Sequence, residues 1–183
     1  MKRQPFFQLT QSAVEQLAAN FDTPLLVLSL EQIERNFRFL KTNLPRVKFY
    51  YAMKANPDMR ILEKMAEMGA SFDVASDGEI KTLAGLGIDG ERMIYANPIK
   101  TTSGLKACNY AGVNKMTFDN IAEVEKMAKA CPGATVLLRF RIDNSSAHVD
   151  LNKKFGAARQ DAVALLKAAK DAGLDAAGTS AAR

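Results

Sequence analysis

Lys48-Phe49-Tyr50-Tyr51-Ala52-Met53 runs directly into Lys54-Ala55-Asn56-Pro57, and an amphipathic stretch follows through Met68. The first run is aromatic and strand-like. The second carries Ile61, Leu62, Met65 and Met68 on one helical face. In this reading Asn56 is the helix cap and Pro57 its first residue. The pair is one strand-then-helix unit. Further strand-like runs begin at Ser71, Met93, Lys115, Ala134 and Leu174. The first five starts are evenly spaced, with helical patterns between them. Ser76-Asp77-Gly78-Glu79 reads as a capping box. Asp119-Asn120 precedes a helix with Val124 and Met127 on one side, and Gln160 to Ala172 is rich in Ala and Leu.

Strand–helix alternation at a short period implies parallel strands with crossover helices. A barrel and an open doubly wound sheet both satisfy it, and the regularity favours a (β/α) barrel. A complete barrel takes about 250 residues, whereas this chain has 183. The expectation is therefore an incomplete α/β barrel of about six βα units. The period breaks before Leu174, where Asp143 to Gly156 reads as a long polar loop. Residues 1–23 read as an N-terminal helical segment, with Ser12 capping a short helix. Residues 24–183 read as the partial barrel. In its first part, Pro24-Leu25-Leu26-Val27-Leu28 is expected to be a buried strand. Ser29 is expected to cap a helix with Ile33, Phe37 and Leu40 on one face.

Composition narrows the function classes. The chain is 48% hydrophobic and 25% charged, which is ordinary for a globular protein. No apolar run approaches the roughly 20 residues of a membrane span. The first residues lack the apolar stretch of a signal peptide, so the expected location is cytoplasmic, with no membrane partner. Net charge is +5, but the basic residues are scattered among acidic ones. A nucleic-acid surface concentrates them, so no nucleic-acid partner is expected. Cys108, Cys131 and the single His148 have no metal-site spacing, so no metal is expected and both thiols are read as reduced packing residues.

Gly85-Leu86-Gly87-Ile88-Asp89-Gly90 matches a dinucleotide fingerprint, yet it follows a helix and precedes a strand. It is read as a helix stop and turn. Asn144-Ser145-Ser146 is formally a glycosylation sequon in a chain with no other sign of secretion. Asp143 to Lys154 lacks the glycine and terminal glutamate of a calcium loop.

Lys54 stands apart. It lies at the C-terminal end of the first barrel-type strand, where barrel enzymes place their chemistry. By strand parity it shares a face with Tyr50 and Ala52. Low-dielectric walls would lower its pKa and free the amine for Schiff-base formation. By position alone, a solvated lysine is the commoner outcome. Asp73 lies at the matching end of the next strand, as a partner for an amine or as a turn residue. Glu79 already has a role in the capping box. Arg139 and Arg141 share one face of an apolar strand and can point into a polar barrel interior. Asn97-Pro98-Ile99-Lys100 reads as a loop at the same end.

Taken in order, these segments resemble the fold-type III PLP-dependent decarboxylases of ornithine, lysine, arginine or diaminopimelate. The resemblance is carried by Tyr51-Ala52-Met53-Lys54-Ala55-Asn56-Pro57 and Phe72-Asp73-Val74-Ala75-Ser76-Asp77-Gly78-Glu79-Ile80. Ile94-Tyr95-Ala96-Asn97-Pro98-Ile99-Lys100 is similar to the ornithine/lysine branch. Thr117-Phe118-Asp119-Asn120, Leu138-Arg139-Phe140-Arg141-Ile142 and Lys154-Phe155-Gly156-Ala157 continue the match.

The resemblance implies a PLP-binding (β/α)8 barrel followed by a C-terminal β-domain, working as a homodimer. It implies pyridoxal 5'-phosphate as cofactor and Lys54 as the catalytic lysine that carries it. Asp73, Glu79 and Arg139 would line the cofactor side, and Lys154 would lie near the dimer interface. The implied function is decarboxylation of ornithine or lysine to a diamine in polyamine biosynthesis, on a small amino-acid substrate. Diaminopimelate decarboxylase and a non-catalytic regulatory homologue are the alternatives. The family's ring-stacking histidine, glycine-rich phosphate loop and C-terminal β-domain have no counterpart before Arg183, and His148 falls in the polar loop. The chain is accordingly expected to be an inactive truncation.

Overall fold

The structure, a computed structural model, describes residues 7–142 and 155–181. The expectations for Asp143 to Lys154, including the Asn144 sequon, His148 and Lys154, lie outside the described residues.

Two helices come first, α1 (Gln11–Asn20) and α2 (Leu30–Asn43). Five strand–helix units and a last strand follow. They are β1 (Tyr50–Ala52), α3 (Met59–Glu67), β2 (Ser71–Val74), α4 (Asp77–Gly85), β3 (Met93–Tyr95) and α5 (Thr102–Ala111). They continue as β4 (Lys115–Phe118), α6 (Ile121–Ala130), β5 (Thr135–Phe140), α7 (Ala162–Asp171) and β6 (Asp175–Ala181).

The six strands form one parallel sheet in the order β1-β2-β3-β4-β5-β6. Chain order is sheet order throughout, with no reversal at which helices would change face. A doubly wound sheet requires such a switch point; a barrel does not. The topology therefore settles the choice left open by the sequence.

The strand register shows two unlike faces. Phe72 pairs with Met93, Val74 with Tyr95, Met116 with Val136, and Phe118 with Leu138. All eight are buried and belong to one core with Ile61, Leu62, Met65, Ile80, Leu83, Leu105, Val124 and Met127 from the helices. Each large apolar side chain taken from water contributes roughly 1.5–3 kcal/mol. The other face carries Ala52 beside Asp73, Asp73 beside Ile94, and Arg139 beside Ser180. Polar residues thus occupy the side that a closed barrel would enclose.

Local signals explain the helix starts, with some corrections. Ser29, Ser76 and Asn120 accept the N–H of Gln32, Glu79 and Glu123 respectively, as their positions in the sequence imply. For α1 the cap is Thr10, which accepts from Ala13, not Ser12. For α3 the cap is Asp58; Asn56 instead closes an Asx turn onto the Asp58 N–H. Leu40 is exposed, leaving Phe37 as the buried residue of α2.

The expected buried strand at Pro24-Leu25-Leu26-Val27-Leu28 does not form, and Leu26 is 86% exposed. An apolar run becomes a buried strand only where a neighbour offers a ladder and a packing face. Among the described residues, nothing pairs with this one.

Candidate functional site

Lys54 lies two residues past the end of β1, within the 3-10 turn Met53–Ala55. The strand stops at Ala52, so strand parity does not orient the lysine; the turn does. Met53 is buried in this turn and anchors it, while Lys54 remains exposed. The exposed lysine is the outcome that position alone favours, and among the described residues no apolar enclosure surrounds it.

Lys54 nevertheless opens onto a cleft of about 560 Å³ at the C-terminal ends of the strands. The cleft is lined by Lys54, Asp73, Glu79 and Arg139, together with Ala96 and Asn97 of the β3–α5 loop. All four residues singled out in the sequence meet there. Their volume falls within the roughly 300–1,000 Å³ of small-molecule sites.

Each is placed by a different element. Asp73 projects from the inner face of β2. Burial pushes its carboxyl above the usual range, while the positive charge of Lys54 pulls it back; Glu79 adds to the rise and Arg139 opposes it. All three neighbouring charges thus act on Asp73. Glu79 is the third residue of α4. Its backbone N–H donates to Ser76 Oγ at 3.2 Å, and its carboxylate accepts the Ala75 N–H at 2.5 Å. A capping-box carboxylate usually returns to the cap residue itself. Here it reaches one residue further, to Ala75, which also lines the cleft. Capping and site lining are thus one arrangement.

Arg139 comes from β5, with its guanidinium 5.5 Å from the Phe155 ring centroid. Arg141, expected to share its face, lies beyond the end of β5. It donates from Nε to Gly156 O at 2.8 Å and lines a separate groove with Asp119. Only Arg139 reaches the Lys54 cleft.

Ala75, Ala96 and Ser180 were not singled out in the sequence, because small residues carry no chemical signal of their own. A buried lysine, Lys100, was also missed. It belongs to the β3–α5 loop with its side chain buried, and the Asn-x-x-Glu pattern at the start of α6 is the one local hint of its partner Glu123.

An amine, two carboxylates and a guanidinium around one cleft suit an aldehyde cofactor bearing ionised groups. The comparisons agree. Residues 30–181 match the family described as pyridoxal-dependent decarboxylase, pyridoxal binding domain. The lysine/ornithine decarboxylase of Selenomonas ruminantium is 52% identical over 172 residues, 94% of this chain and 44% of that protein. A crystal structure of lysine decarboxylase from the same organism aligns with a TM-score of 0.90 at 50% identity, covering 96% of this chain and 46% of that one. The crystal structure of SrLDC in complex with PLP and cadaverine aligns with a TM-score of 0.88 at 47% identity, covering 97% and 45%. This chain spans less than half the length of each of these relatives.

Proposed function

Because the chain belongs to the pyridoxal-dependent decarboxylase family through its pyridoxal-binding domain, we propose that Lys54 carries pyridoxal phosphate and that the chain, inactive by itself, serves decarboxylation of lysine or ornithine when joined to the part its relatives carry beyond the matched residues. The observation that carries this reading is the meeting of Lys54, Asp73, Glu79 and Arg139 on one cleft at the strand ends.

The chain's own residues have distinct parts in it. The Lys54 amine is the nucleophile that holds the cofactor. Asp73 lines the same cleft, and its carboxylate lies in the field of the Lys54 charge. Arg139 supplies a positive charge to the same cleft. Glu79, pinned to Ala75, keeps the cleft floor and the start of α4 in one position. When bound, PLP supplies the electron sink that takes up the pair left as carbon dioxide departs.

The substrate choice rests on the Selenomonas relative, whose name includes both amino acids. A diamine product fits polyamine synthesis, and the same reading has the reaction in the cytoplasm. Assembly as a homodimer belongs to the same reading. No helix among the described residues is long and apolar enough to cross a membrane.

The test is release of carboxyl carbon from lysine and ornithine in the presence of PLP. The chain is co-expressed with the part of the Selenomonas relative beyond the matched residues. Release that disappears in Lys54→Ala supports the reading. Release unaffected by that substitution, or no release from either amino acid while PLP is held on Lys54, refutes it.

A further inference from the structure

Behind the cleft, the β3–α5 connection rests on a charged cluster that the cofactor chemistry does not use. Lys100 is 1% exposed. Its Nζ lies 3.1 Å from Glu123 Oε1. The same ammonium donates to the carbonyls of Thr117 at 2.6 Å, Pro98 at 3.2 Å and Asn97 at 3.3 Å. The Lys100 N–H donates to Glu123 Oε1 at 3.0 Å. Lys126 completes the cluster, 2.6 Å from Glu123 Oε2 and 2.5 Å from Lys100 O. The Tyr95 ring centroid is 5.9 Å from the Lys100 ammonium.

One cation thus ties together its own loop, strand β4 and the first turn of α6. Burial disfavours the charged form of Lys100, and Glu123 offsets that cost. A buried ion pair is seldom more stabilising than apolar side chains of similar volume. What the pair provides that apolar packing lacks is direction: three carbonyls and one carboxylate fix the path of the backbone. That backbone carries Ala96 and Asn97 to the cleft wall, and the Ala96 N–H faces the Asp73 carboxylate.

We infer that Lys100 is a positioning residue. Its ammonium, held by Glu123, clamps the Ala96–Lys100 segment onto β4 and so fixes Ala96 and Asn97 at the cofactor cleft. The consequence for the cofactor rests on the Lys54 reading; the clamp itself does not.

The test uses the full chain, Lys100→Met, and Lys100→Met/Glu123→Gln, the last sparing the fold a buried carboxylate without its main partner. Amide exchange is followed residue by residue, and PLP affinity is read from cofactor absorbance with borohydride fixation at Lys54. The clamp predicts exchange at Ala96 and Asn97 faster by about tenfold or more in both variants, with Val74 and Phe118 changing by less than about twofold. PLP affinity falls by about tenfold or more. A uniform acceleration at all four amides shows a merely structural role and overturns the inference, as does unchanged exchange at Ala96 and Asn97. Equal PLP affinity in all three proteins overturns the link to the cleft. Failure of the unsubstituted chain to hold PLP on Lys54 refutes the cofactor reading and that link together, and the exchange data still decide the clamp.

Discussion

Asp73 shows how far a single side chain could be read from sequence. Its place at a strand end was legible, but its charge state was not, because that depends on Lys54, Glu79 and Arg139 arriving from three other elements. Burial is the largest influence, and it raises the folded-state pKa above the unfolded value. The folded protein therefore binds more protons than the unfolded chain across that window. Stability falls as pH rises through it and is recovered as pH drops. Asp73→Asn removes this dependence. It is expected to stabilise the chain slightly at neutral pH, by less than about 1 kcal/mol because solvent reaches the cleft and screens the charge. Urea unfolding at several pH values measures this, and a variant that retains the original pH slope contradicts it. Lys54 was legible through its motif, and its exposure is the outcome that position alone favours; what strand parity missed is that the chain leaves the strand at Ala52.

The elements were mostly legible because each has a local cause. Five of the six barrel strands lie inside the strand-like runs read from the sequence, β6 extends one residue past its run to Ala181, and Ser29 and Ser76 cap their helices as their spacing implies. What failed was the run at Pro24 to Leu28, since burial of a strand depends on a neighbour that no local pattern reveals. The glycine pattern after α4 shows both kinds of cause. Gly87 has φ +72°, and its N–H bonds to Ala84 O while Ile88 N–H reaches Leu83 O, a Schellman ending. Gly90 answers to tertiary contact: a Cβ there would lie 2.2 Å from Ala111 O and 2.4 Å from Gly112 C, at the end of α5. Both obstacles are backbone, so they yield only if an element moves. Gly90→Ala is expected to cost about 2–3 kcal/mol, as overpacked sites do. Chemical denaturation tests it, and a loss below about 0.5 kcal/mol would mean the α5 end relaxes freely.

At the scale of the molecule, the alternation of elements was legible in the sequence, and the strand order then excluded the doubly wound alternative. Among the described residues β1 and β6 each pair on one side only. The exposed Leu25, Leu26, Val27 and Leu28 lie outside any strand. Unpaired edges and apolar surface promote association. Sedimentation velocity is expected to show a sedimentation coefficient that rises with concentration. A monomer over the whole micromolar range would contradict this account of the edges.

The central claim is that these elements bring Lys54 to a cofactor cleft. It is tested most directly by adding PLP to the purified chain, fixing it with borohydride and mapping the modified residue by mass spectrometry. The account predicts one modified lysine, Lys54, with labelling lost in Lys54→Ala and weakened in Asp73→Asn. Labelling spread over surface lysines such as Lys81 and Lys167, or none at all, would contradict it.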